Sequence, residues 1–158
     1  MKKIWAPWRS KYIYLRKRKG CIFCKAAKVK KDEKYFVVER TPLCFSMLNI
    51  YPYNNGHLMV APYRHKTSLI DFSQEELCDL ILLVKKSIRL IDKVLKPDGY
   101  NLGFNIGKIA GAGFAGHLHM HIVPRWQGDT NFMPVLTQTK VISESLDSLY
   151  RRLKSAKI

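Results

Sequence analysis

The apolar residues of this chain change period several times, and those changes outline its elements. Tyr35-Phe36-Val37-Val38-Glu39 is a short apolar run stopped by Thr41-Pro42, the pattern of a strand ended by a residue that cannot donate to a ladder. Leu43 to Ile50 gives a second strand, and Tyr51-Pro52-Tyr53-Asn54-Asn55-Gly56 has the composition of a turn. His57 to Pro62 then completes an antiparallel meander. The period lengthens next: Ser73 and Glu76 stand at capping-box spacing. Leu77, Leu80, Ile81, Val84, Ile88, Ile91 and Leu95 follow at intervals of three and four, one apolar stripe of a long helix. Pro97-Asp98-Gly99 ends it. Tyr100 to Ile106 is a fourth strand, and a connection holding Gly107, Gly111, Gly113 and Gly116 leads to a fifth, where leucine, methionine and isoleucine alternate with histidine. Residues 139–156 carry Val141, Ile142, Leu146, Leu149 and Leu153 along one side of a C-terminal helix. The order β-β-β-α-β-β-α predicts an α+β fold on an antiparallel five-stranded sheet.

At 158 residues the chain is sized for a single domain over 1–158 with its own core, and it carries no repeat or linker. Residues 1–20 form a basic, aromatic arm, of which Trp5 and Trp8 are expected to pack on the body. A hydrophobic fraction of 47% excludes global disorder, and no apolar run is long enough to span a membrane. The first residues lack the apolar stretch of a secretory signal, so a cytoplasmic protein with reduced thiols is expected. Lys and Arg number 28 against 12 Asp and Glu, a formal charge of +16 that favours anionic partners. A small polyphosphate exploits that field as well as nucleic acid does, and charge alone is a weak sign of RNA binding, so nucleic acid is not expected as the main partner.

All five histidines lie in two short stretches, and His117-Leu118-His119-Met120-His121 holds three of them. Strand alternation puts those three on one face as a row spaced by about 6.6 Å, with Leu118, Met120 and Ile122 entering the core from the other. Three readings compete: one metal held by all three, three structural histidines, or a nucleophilic imidazole with supporting groups. The glycine-rich connection beside the row offers backbone N–H groups that can cradle phosphate oxygens, as the third reading requires. Cys21-Ile22-Phe23-Cys24 has the spacing of half a zinc site. Cys44 and Cys78 read as buried small hydrophobes. Gly128-Asp129-Thr130 reads first as a turn, Trp126 as a packing or stacking group, and Arg125 as structural.

At these residues the chain resembles the histidine triad (HIT) superfamily. His117 to Pro124 is similar to its triad motif and Asn54 to His65 to its upstream partner motif, and the likeness runs from Trp5 to Phe132. The stretches Ile4 to Arg9 and Pro124 to Met133 resemble the branch that cleaves diadenosine polyphosphates, including diadenosine tetraphosphate phosphorylases. The resemblance implies a HIT-like fold and a homodimer. It implies His119 as the nucleophile that forms a nucleotidyl-histidine, His121 as the group that bonds the phosphate, and His57 as support for the nucleophile. Asn49 matches the position that bonds the ribose, and Asn105 one near the α-phosphate. Gly111 and Gly113 fall where the phosphate is bound. Gly113 replaces a polar side chain found in many hydrolytic relatives, which leaves water and inorganic phosphate both open as second-step acceptors. Zinc-bearing relatives add to the cysteines the histidines matching His65 and His117, so a structural Zn²⁺ on Cys21, Cys24, His65 and His117 is implied, and Mg²⁺ is a candidate companion of a polyphosphate substrate. The function expected is cleavage of a dinucleoside polyphosphate, best diadenosine tetraphosphate. The alternatives are a broad nucleotide or phosphoramidate hydrolase and a nucleotide-binding regulator.

Overall fold

The computed structural model describes residues 20–29, 31–107, 109–111, 116–129 and 141–156. The basic arm up to Lys19, with Trp5 and Trp8, lies outside them, as do Gly113 and Thr130. Two short helices, α1 (Ile22–Lys28) and α2 (Asp32–Tyr35), precede β1 (Val37–Arg40), β2 (Cys44–Leu48) and β3 (Leu58–Pro62). A 3₁₀ turn (Leu69–Asp71) leads to the long helix α3 (Gln74–Leu95). Then come β4 (Gly99–Phe104), β5 (Met120–Arg125) and α4 (Leu146–Ser155). The strands form one antiparallel sheet in the order β1-β2-β3-β5-β4. The α+β class and the five-stranded sheet match the pattern expected from the sequence.

Helix α3 starts where its cap dictates. Ser73 Oγ accepts the Glu76 N–H while the Glu76 carboxylate accepts the Ser73 N–H, the reciprocal capping box. Its buried stripe is turned from the one expected: Leu80, Leu83, Val84, Ser87, Leu90 and Ile91 face inward, whereas Leu77 and Ile81 are exposed. The stripe follows the sheet it covers, and a run rich in apolar residues on several sides cannot by itself say which side that is. Cys78, on the outer side, is exposed rather than buried, while Cys44 is fully buried as expected.

Three boundaries also move. Tyr35 closes α2 instead of opening a strand, because Phe36 takes a left-handed conformation (φ 55°) that caps the helix and redirects the chain into β1 at Val37. The C-terminal helix begins at Leu146, since Ser145 caps the Ser148 N–H; Val141 and Ile142 precede it in irregular chain. The histidine strand is the third. β5 pairs with β3 through Leu58–Ile122, Met59–His121 and Val60–Met120. Continuing the register would bring Leu118 opposite Pro62. The Pro62 carbonyl instead takes the His117 ring Nε2 (3.0 Å), the Leu118 N–H goes to the Lys66 carbonyl (2.6 Å), and His117 to His119 leave the ladder.

The sheet is covered unequally. On one side α3 and α4 pack over Leu48, Leu58, Val60, Leu118 and Ile122. On the other, α1 lays Phe23 and Ala26 over Val37, Phe45, Met47, Met59 and Ala61. That explains why every residue of β2 and β3 is buried, with no polar alternation. Among the described elements, α1 is the one helix whose core residues lie on this second face, and the histidines sit where its cover ends.

Candidate active site

The site is assembled from the start of β5, the segment just before it, the turn that precedes β3, and α1. Gly56 allows that turn to close tightly. It has φ +76°, and a Cβ there would lie 2.5 Å from Leu95 Cδ1 and 3.1 Å from Pro124 Cγ. The following residue, His57, is fully buried. Its Nδ1 receives the Tyr53 N–H (3.1 Å) and faces the Asn49 amide nitrogen (3.3 Å). An Nδ1 that accepts a backbone N–H carries no proton, so the proton of neutral His57 is on Nε2. That nitrogen lies 2.9 Å from His121 Nδ1, to which it donates. His121 must then carry its own proton on Nε2, outward from the pair.

His119 is fixed the opposite way. Its Nδ1 lies 2.8 Å from the His117 carbonyl oxygen, which can only accept, so Nδ1 holds the proton and Nε2 keeps a lone pair. The His119 and His121 rings stand edge to face with centroids 4.7 Å apart. They are closer than neighbours in a regular strand row, because His119 lies outside the ladder. Two adjacent imidazoles thereby offer a lone pair and an N–H donor. Burial holds His57 at a pKa of about 3, with His121 and His119 adding smaller contributions, and His121 at about 4, with His119 adding to burial. Burial also lowers His119, against the opposing hydrogen bond to His117. All three are therefore neutral at pH 7.

His117 turns away from this pair. Its Nε2 donates to the Pro62 carbonyl (3.0 Å), leaving Nδ1 as a lone-pair donor that faces Cys21 Sγ at 3.4 Å and Cys24 Sγ at 3.6 Å. His65 Nδ1 lies 3.2 Å from Cys24 Sγ. These four ligand atoms lie within 4.8 Å of one another, and among the described residues no other histidine, cysteine or carboxylate group gathers in this way. Tetrahedral zinc bonds of ordinary length would separate sulfur and nitrogen by about 3.6 Å. The donor set, two thiols and two imidazoles with one imidazole oriented by a carbonyl, can hold a metal ion of that kind.

Of the expected substrate residues, Asn49 lies against His57, whereas Asn105 and Gly111 bond each other. Asn49 is 9% exposed; its oxygen accepts the Tyr51 N–H and its nitrogen faces His57. Asn105 donates to the Gly111 carbonyl (3.2 Å) and so ties the end of β4 to the glycine connection, where Gly111 has φ +84°. Asp129 closes a turn, as read from the sequence. Its carboxylate receives Arg125 Nε, the Asn54 amide and the Trp126 N–H, and Arg125 also bonds Asn101. Trp126 donates to the Lys96 carbonyl at the end of α3, a packing role. Two contributors escaped sequence reasoning. Phe23, between the two cysteines, packs its ring 4.5 Å from that of His119 and 5.1 Å from that of His117. Tyr53 lays its ring 4.7 Å from His57 and 5.8 Å from His121. An aromatic between paired cysteines was a possible signal for Phe23, but nothing local marked Tyr53.

Comparison with known proteins gives a consistent result. The HIT domain family model matches residues 30–128. A protein of Mycobacterium tuberculosis named AP-4-A phosphorylase is 38% identical over 97% of this chain and 83% of its own length. An adenosine 5'-monophosphoramidase of Schizosaccharomyces pombe is 37% identical over 67% of this chain and 74% of its own. Among solved structures, a Zn-bound histidine triad family protein from Mycobacterium smegmatis superposes with a TM-score of 0.69 at 25% identity, covering 86% of this chain and 91% of that one.

Proposed function

The chain belongs to the HIT domain family, and from that premise we propose that it cleaves a phosphoanhydride of a dinucleoside polyphosphate, best diadenosine tetraphosphate, by double displacement through His119. The observation that carries this reading is the opposed protonation of the neighbouring imidazoles: a lone pair on His119 Nε2 beside an N–H on His121 Nε2. In the first step the His119 lone pair attacks the α-phosphorus and the bond from phosphorus to the bridging oxygen breaks. The electron pair leaves with the remaining nucleotide. The imidazolium charge that develops is stabilised through Nδ1–H on the His117 carbonyl, and His121 Nε2–H donates to a phosphate oxygen. His57 holds His121 in the donating tautomer. In the second step an oxygen of water or inorganic phosphate attacks phosphorus, the P–N bond breaks, and His119 returns as a neutral imidazole.

Asn49, Asn105 and the backbone of Gly111 and Gly113 complete the nucleotide site in this reading, with Mg²⁺ accompanying the substrate's phosphates. Cys21, Cys24, His65 and His117 would hold a structural Zn²⁺, which ties α1 to the segment carrying His119. A homodimer in the cytoplasm is the expected form of the enzyme. The likeness to a phosphorylase over nearly the whole chain supports phosphate as acceptor, and the likeness to a phosphoramidase supports a broader hydrolase as the second reading.

The test is incubation with diadenosine tetraphosphate, with and without phosphate, followed by chromatography. ADP plus ATP only when phosphate is present is expected of the phosphorylase, and AMP plus ATP without phosphate identifies the hydrolase. His119→Ala should lose at least about a thousandfold in kcat while still binding nucleotide. Activity persisting in that variant would rule out the covalent step.

A further inference from the structure

Beyond His121, β5 continues along the same face as Val123 and Arg125, about 13 Å from end to end at ordinary strand spacing. Paired with Val123 on the neighbouring strand is Asn101, and opposite His121 is Gly103, whose missing side chain leaves open space there. With Tyr53 and Asn54 from the turn, Asn101, Val123 and Arg125 line a surface depression of about 270 Å³. Tyr53 joins the two places: its ring touches His57 and His121 while 53% of the residue remains exposed. Arg125 is 46% exposed yet held in orientation, by Asp129 through Nε and a terminal nitrogen (2.5 and 3.0 Å) and by Asn101 (2.8 Å). A fixed guanidinium, a half-exposed aromatic ring and an apolar floor together suit a nucleoside or a terminal phosphate rather than a solvated surface.

We infer that this depression is the leaving-group subsite, in which Tyr53, Asn101 and Arg125 recognise the distal phosphates and second nucleoside of the substrate. The inference rests on the reading of His119 as nucleophile. Attack and departure at phosphorus are in line, and His121, Val123 and Arg125 follow one another along one face of β5, with His119 just before them outside the ladder. A leaving group that extends past His121 along that face meets the depression, which Tyr53 joins to the imidazoles. Tyr53 offers a face on which a base can stack, and Arg125 meets negative charge at the far end.

The test compares two substrates of the full-length protein: diadenosine tetraphosphate, and adenosine 5'-phosphoramidate, whose leaving group is too small to reach the depression. In Tyr53→Ala, which keeps the backbone N–H to His57, the ratio of kcat/KM for the long substrate over the short one should fall about tenfold, through KM. Arg125→Gln should lower the same ratio, and Tyr53→Ala carries the test alone if loss of the Asp129 pairing prevents that variant from folding. An unchanged ratio in Tyr53→Ala overturns the subsite, as does an equal loss on both substrates, because Tyr53 then acts only on the imidazoles. Trapping of the nucleotide on His119 from the short substrate separates this outcome from failure of the covalent mechanism itself.

Discussion

Each buried imidazole of the site has one nitrogen committed to a backbone or imidazole partner, and the committed nitrogen differs from residue to residue. His57 gives Nδ1 to the Tyr53 N–H, His121 gives Nδ1 to His57, His119 gives Nδ1 to the His117 carbonyl, and His117 gives Nε2 to the Pro62 carbonyl. The nitrogens left over are thus an N–H on His121 and lone pairs on His119 and His117, from three chemically identical side chains in the triad. Keeping these imidazoles neutral has a consequence for stability. His57 has a pKa of about 3 in the fold against an ordinary 6.5. Between those values the unfolded chain takes up a proton that the folded one refuses, so stability falls as pH drops from about 6.5 towards 3 and is insensitive to this group above that range. Urea unfolding midpoints measured from pH 7.5 to 4.5 should decline on the acid side. His57→Asn should show a shallower decline, and an equal slope in both proteins would locate the acid sensitivity elsewhere.

At the scale of elements, the short helix α1 has more influence than its seven residues suggest. Cys21 is its N-cap, receiving the Cys24 N–H, and both thiols face His117. Between them Phe23, 1% exposed, covers the ring of His119. A metal on the cysteines and His65 would therefore anchor the helix that packs on His119. Cys24→Ser is expected to lose bound zinc by elemental analysis and to lower the unfolding free energy by about 4 kcal/mol or more, a size associated with lost metals and comparable defects. Retention of full metal content would exclude Cys24 as a ligand. Element boundaries illustrate the limits of local pattern. The capping box of α3 was legible because its partners are three residues apart. The exit of His117 and His119 from β5 was not, since its partners, the Lys66 and Pro62 carbonyls, lie more than fifty residues away.

For the whole molecule, charge and asymmetric cover act together. The chain carries a net charge of +16, and the sheet face under α1 is left less covered at its β5-β4 end, where the imidazole pair lies. Attraction of a polyanion to such a charge is screened by salt. Raising ionic strength from about 0.01 M to 0.5 M should lower kcat/KM for the polyphosphate by about tenfold while kcat changes little. Steady-state rates across a salt series measure this, and a matching loss in kcat would point to damage at the site instead of slower encounter.

The sequence by itself determined the order of the five strands, the long helix and the C-terminal helix, though not the two short helices before β1. It determined the α3 cap, the meander turn and the identity of the chemical groups as well, because all of these depend on residue type and short spacing. Two motifs far apart in the chain also sufficed to indicate the family. Only the tertiary structure decided which side of α3 is buried, that Cys78 faces outward, and that His121 stays in the β5 ladder while His117 and His119 leave it. It also separated His119 from His121, which alternation left equivalent. The distinction is set by partners distant in sequence or by backbone geometry: a lone pair remains on whichever nitrogen the folded chain does not engage, and alternation of residue types does not specify which nitrogen that is.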